Sequence, residues 1–74
     1  MVQLEVFGDG DWKPVVRYDS AHGFAHMDRF DTAGNRIKVP LELNFNSALA
    51  YGEWDINMNW PQYVKAFLKK ERKP

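Results

Sequence analysis

The sequence predicts an α+β fold: a four-stranded antiparallel β-meander followed by a C-terminal helical segment, kinked or broken near Pro61, that packs on one face of the sheet. Three observations carry the prediction. Side chains alternate between apolar and polar through the first 40 residues, turn-forming residues punctuate that alternation, and from residue 44 onward apolar positions recur every three or four residues. The 74 residues read as one domain, 1–74, divided into a meander at 1–40, a helical segment at 44–70 and a basic tail at 69–74. A chain of this length buries only about 60% of its unfolded surface, and it has no cysteine to staple the fold. An aromatic-rich core must hold it, assisted by self-association into a homodimer.

The first strand follows from Val2, Leu4 and Val6 alternating with Gln3 and Glu5, and Gly8-Asp9-Gly10-Asp11 supplies turn chemistry. A three-residue loop at 9–11 sets Leu4 opposite Val16. Residues 13–19 form the second strand, with Pro14 marking an irregular start where no backbone donor is required. A four-residue loop at 20–23 sets Arg17 opposite His26 and Val16 opposite Met27. Residues 24–30 form the third strand, a five-residue turn at 31–35 contains Gly34, and residues 36–39 form the fourth strand before Pro40 ends the sheet. That turn sets Asp28 opposite Lys38 and Met27 opposite Val39. These registers sort the side chains by face. Val2, Leu4, Val6, Val16, Tyr18, Ala25, Met27, Ile37 and Val39 share one side with a single charged residue, Arg29. Gln3, Glu5, Phe7, Lys13, Val15, Arg17, Asp19, Phe24, His26, Asp28 and Lys38 share the other.

The apolar side needs a cover. Phe45, Ala48, Leu49, Gly52, Ile56, Trp60, Tyr63 and Phe67 form a helical stripe that supplies it, with Asn44 or Asn46 as N-cap. A straight helix over 46–70 is about 37 Å long, against about 23 Å for a seven-residue strand. The excess must bend at Asn59-Trp60-Pro61, giving helices near 46–59 and 61–70 or one kinked rod, or reach a partner. Trp12, Trp54 and Trp60 are expected as core or rim packing, and Asp55 with Asn59, one helical turn apart, as a cap or as a tether of the helix to the sheet.

Formal charge sums to zero, yet Lys65, Lys69, Lys70, Arg72 and Lys73 against Glu71 leave the last ten residues at plus four. Those cations suit the negative pole of a helix end and also a polyanion contact. The absence of cysteine removes thiolate chemistry and fits a reducing compartment. With no apolar run near the roughly 18 to 20 residues that span a bilayer, the chain is expected to be soluble, untargeted, cytoplasmic and free of membrane contact.

The chemistry concentrates in residues 17–28, which hold Arg17, Asp19, His22, His26 and Asp28. A metal site is not expected: His22 and His26 are four apart, about 13 Å on an extended strand, too far to converge on one ion. General acid–base chemistry is open. His26 can move a proton near neutral pH, Asp28 can orient its ring, and His22 at the hairpin end can serve as the counterpart. Arg17 and Lys38 can hold a phosphate, with Asp19 orienting them and Phe24 stacking on a base. Cleavage of RNA without metal or cofactor needs little more. The same residues also read as ordinary cross-strand charge pairs on a noncatalytic module that binds a protein partner or itself. Whether the chain is an enzyme stays open on these grounds.

The run from Trp12 to Asp28, containing Arg17-Tyr18-Asp19-Ser20-Ala21-His22-Gly23 and then His26 and Asp28, resembles a family of small uncharacterised prokaryotic proteins classed as a domain of unknown function. Gly34, Ala50, Asp55-Ile56, Asn59-Trp60 and Tyr63 extend the likeness over nearly the whole chain. More distantly, the Arg-Tyr-Asp-x-Ala-His core is similar to TumE-type toxins of toxin–antitoxin pairs. That resemblance implies a bacterial or archaeal cytoplasmic protein with a ribonuclease role or an antitoxin-like partner.

Overall fold

The computed structural model describes residues 1–21 and 24–71, the side chains of Ala21, Lys70 and Glu71 excepted. Four strands, β1 (Val2–Gly8), β2 (Asp11–Ala21), β3 (Phe24–Phe30) and β4 (Arg36–Pro40), precede one helix, α1 (Phe45–Glu71). The strands pair antiparallel in chain order, and α1 packs across β1, β2 and β3, leaving β4 uncovered. This is the expected α+β meander with a helical cover.

Each connection has a local cause. Asp9 and Gly10 both take positive φ, 52° and 78°, the geometry of the two-residue hairpin turn that Asp-Gly favours. The turn is thus one residue shorter than expected. Leu4 still faces Val16, because the register shifts between Leu4 and Glu5 and leaves Val15 without a partner. This bulge turns Val15 inward. It is buried and shares a cleft with Phe67, rather than lying on the polar side.

Between β2 and β3 only residues 22 and 23 remain, because Ser20 and Ala21 pair with Ala25 and Phe24 instead of looping. Arg17 therefore faces Asp28 and Asp19 faces His26, a shift of two residues from the expected register. An even shift leaves the side chains paired between β2 and β3 on their expected faces, whereas beyond the bulge Lys13 pairs with Val6 and so leaves the polar side on which it was expected. The turn at 31–35 is as expected. One Asp31 carboxylate oxygen accepts the amides of Ala33 and Asn35 at 3.0 and 2.9 Å, and Gly34 takes φ 85°. Asp28 accordingly faces Lys38, and Met27 faces Val39.

Asn44 is the N-cap, its Oδ1 accepting the Ser47 amide at 2.8 Å. Of the two helical forms expected, the single rod is the one formed, continuing through Pro61. Its 27 residues correspond to about 40 Å, and the 11 residues of β2 to about 36 Å. The longer β2 removes the mismatch that a seven-residue strand would leave. Ala48 and Phe67, near opposite ends of α1, are both buried. At Gly52 the helix touches the sheet so closely that an added Cβ would lie 2.6 Å from Tyr18 Cγ. The tryptophans depart from expectation: Trp12, Trp54 and Trp60 are 59%, 57% and 51% exposed.

Candidate functional site

The backbone places Arg17, Asp19, His26 and Asp28 of the central hairpin on the sheet face opposite the helix. Tyr18 bonds to Asp55 of α1, so its neighbours Arg17 and Asp19 point to the other side. Met27 and Arg29 line a cleft with α1, so His26 and Asp28 also point away. Lys38 and Arg36 share that face through their pairing with Asp28 and Phe30.

This face is not open at its centre. Asp28 is 1% exposed and His26 is also buried. Long neighbours surround them, with Arg17 and Lys38 across from Asp28 and Phe30 further along its strand. His26 Nε2 lies 3.7 Å and Arg36 Nη1 4.0 Å from Asp28 Oδ2. The other carboxylate oxygen of Asp28 has no hydrogen-bond partner among the described residues. Arg17 does not reach it: Nε donates to Gln3 Oε1 at 2.6 Å, and the guanidinium lies 5.2 Å from the Phe30 ring centre. Asp19 accepts the Ser20 amide at 2.8 Å.

Structure and sequence thus agree on which residues gather, namely Arg17, Asp19, His26, Asp28 and Lys38. Phe24 stands at the hairpin end of the same face, 74% exposed, while His22 lies outside the described residues. Phe30 and Arg36 are contributors that sequence reasoning did not single out. The signal available for them was the pairing of Asp28 with Lys38, which puts Arg36 on the neighbouring diagonal. Phe7 and Trp12 pair across β1 and β2 with ring centres 5.3 Å apart, both exposed.

On the helix side, Asp55 is the tether expected from its position, with partners the sequence did not identify. The hydroxyls of Tyr18 and Tyr63 both donate to Oδ2, and Asn59 Nδ2 donates to Oδ1 at 2.8 Å. Burial alone would push the Asp55 pKa up, but these three hydrogen bonds and the positive charge of Arg29 outweigh it and hold it below the usual carboxylate value. Burial, with the Asp55 bond added, pushes Tyr63 up to about 12 and Tyr18 higher. An ionised acid gripped by neutral phenols is a clamp between layers.

Next to the clamp, the uncovered β4 leaves a cleft of about 320 Å³ bounded by Val15, Met27, Ile37, Val39, Tyr63 and Phe67. Arg29 lies over the Tyr63 ring at 5.3 Å. Among the described residues no three of His, Asp and Glu gather at metal-binding distance, and no helix is long and apolar enough to cross a membrane.

The model of one protein family, described as Domain of unknown function (DUF7718), matches residues 1–73. No curated protein matches the chain. Nor does any solved structure.

Proposed function

We propose that this chain, which belongs to the DUF7718 family of domains of unknown function, is a noncatalytic, cytoplasmic interaction module that self-associates through its apolar surface. One observation carries the reading: all three tryptophans are more than half exposed, on a molecule that also leaves Ile37 59% exposed. Tryptophan at that exposure is costly in a monomer, whereas aromatic side chains are the anchors of protein interfaces. A small chain gains further because association supplies apolar burial that its own core lacks. Light scattering across a concentration series tests the proposal. A mass rising from the 8.7 kDa of one chain toward a dimer is expected, and a strict monomer at millimolar concentration overturns it.

A second reading rests on the polar face. Phe24 is exposed at one end of it, Phe7 and Trp12 at the other, and Arg36 and Lys38 along its β4 edge, and such a mixture can stack bases and hold phosphates. In this reading the face contacts RNA, as a toxin of a toxin–antitoxin pair would, with Arg17 and Lys38 on phosphate. Cleavage would use His26, His22 and Asp28, with Asp19 orienting the cations. The burial of His26 and Asp28 weighs against cleavage, because a substrate hydroxyl must come within about 3 Å of the base. Pure protein incubated with total RNA in EDTA separates the outcomes. Cleavage or a gel shift supports the RNA reading, and neither removes it.

A further inference from the structure

We infer that the open edge of β4 pairs with an extended segment of a partner protein in which acidic and apolar residues alternate. The inference goes beyond the self-association proposed above and does not depend on it.

The backbone fixes which groups of β4 are free. The Leu41 amide donates to the Ala25 carbonyl and the Asp31 amide to the Asn35 carbonyl, each at 3.0 Å. Both pairs lie in the register that sets Met27 opposite Val39 and Arg29 opposite Ile37. Mutually bonded pairs recur at every second residue of an antiparallel ladder, so Ile37 and Val39 turn their N–H and C=O toward β3, while Arg36, Lys38 and Pro40 turn theirs outward. Pro40 fits there because no N–H is needed. β4 is the last strand of the sheet, and every residue of it is exposed. The edge therefore presents the N–H groups of Arg36 and Lys38, and the carbonyls of both and of Pro40, to a strand laid beside it.

Side chains give the occupant its chemistry. On the helix side of β4, Ile37 and Val39 are exposed and border the cleft that α1 leaves open. An added strand covers them with apolar side chains. On the other side stand Arg36 and Lys38, both exposed. Lys38 takes part in no ion pair within 4.0 Å among the described residues, and Arg36 reaches only Asp28, at 4.0 Å. Two surface cations thus stand beside one buried carboxylate. Acidic side chains set opposite them on the added strand complete the balance.

The same charges argue against another β4 as the occupant. Pairing two such edges so that the Arg36 and Lys38 amides of both are bonded within the strands sets Lys38 opposite a cation of the other copy, and like charges directly opposite destabilise a sheet. The β1 edge of a second copy has the alternation, with Val2, Leu4 and Val6 between Gln3 and Glu5. That contact repeats without closing and builds a fibre.

The probe is a capped heptapeptide of alternating valine and glutamate, titrated into the wild-type protein near neutral pH by isothermal calorimetry and followed by amide hydrogen exchange in NMR spectra. It is expected to bind, and a heptapeptide of alternating valine and lysine to bind about tenfold more weakly. Saturation should slow exchange at the Arg36 and Lys38 amides and leave those of Ile37 and Val39, already bonded to β3, little changed. Lys38→Pro removes an outward N–H and no ladder bond, and should abolish binding while circular dichroism shows the sheet retained. Should that variant fail to fold, the exchange pattern of the wild type decides. No binding at millimolar peptide, equal binding of the two peptides, or unprotected Arg36 and Lys38 amides at saturation overturns the inference. So does protection of those amides that rises with protein concentration alone, or fibre growth, either of which gives the edge to a second copy.

Discussion

Asp55 and Gly52 show how single residues join the two layers. Removing the carboxylate in Asp55→Ala leaves the hydroxyls of Tyr18 and Tyr63 without their acceptor, a loss of about 3 kcal/mol, and thermal melts should register it as a large drop in Tm. The same group dictates acid behaviour. Its folded pKa lies below the unfolded value, so its contribution is complete above about pH 4 and disappears as pH falls through the folded value. Urea melts at pH 7, 5 and 3 should therefore show the gap between wild type and Asp55→Asn narrowing only at the acid end. Tyr63 works in the opposite sense: raised to about 12, it contributes below the ordinary tyrosine value near 10 and loses that contribution as pH rises past it. Gly52→Ala raises helix propensity by about 1 kcal/mol, yet the new methyl would lie within 2.9 Å of Tyr18 Cβ, Cγ and Cδ2. Tyr18 is held by Asp55 and cannot swing aside, so the variant is expected to melt lower than wild type.

Elements carry their own tests. Asn44→Ala removes the acceptor of the Ser47 amide and should cost about 1 kcal/mol, read as a lower urea midpoint. Pro61 sits inside a continuous helix at an exposed position, where proline costs up to about 3 kcal/mol relative to alanine. Pro61→Ala should raise the midpoint, and a fall would mean that the proline has a role in contact rather than in the rod. Much of this architecture was legible in the chain, because period-two alternation and a three-to-four stripe are direct consequences of which face is buried. The length of β2 was not legible: Ser20 and Ala21 suit a loop or a strand equally, and pairing with Phe24 and Ala25 decides between them. Nor was the inward turn of Val15, since a bulge depends on how both neighbouring strands are anchored, and Pro14 signalled only that something irregular occurs there. The membership of the polar cluster was legible by parity. Its burial was not, because parity assigns a face and says nothing of how far neighbouring side chains fold over it.

At the scale of the whole molecule, His26 and Asp28 of the hairpin are buried while Trp12, Trp54 and Trp60 are each more than half exposed. That inversion is what makes contact, rather than chemistry, the better account of the surface. The claim is tested most directly by acrylamide quenching of tryptophan fluorescence over a range of protein concentrations. Shielding should increase and the emission shift to shorter wavelength as concentration rises, because association covers exposed tryptophan. Quenching that is strong in dilute solution and unchanged at the highest concentration would contradict the account.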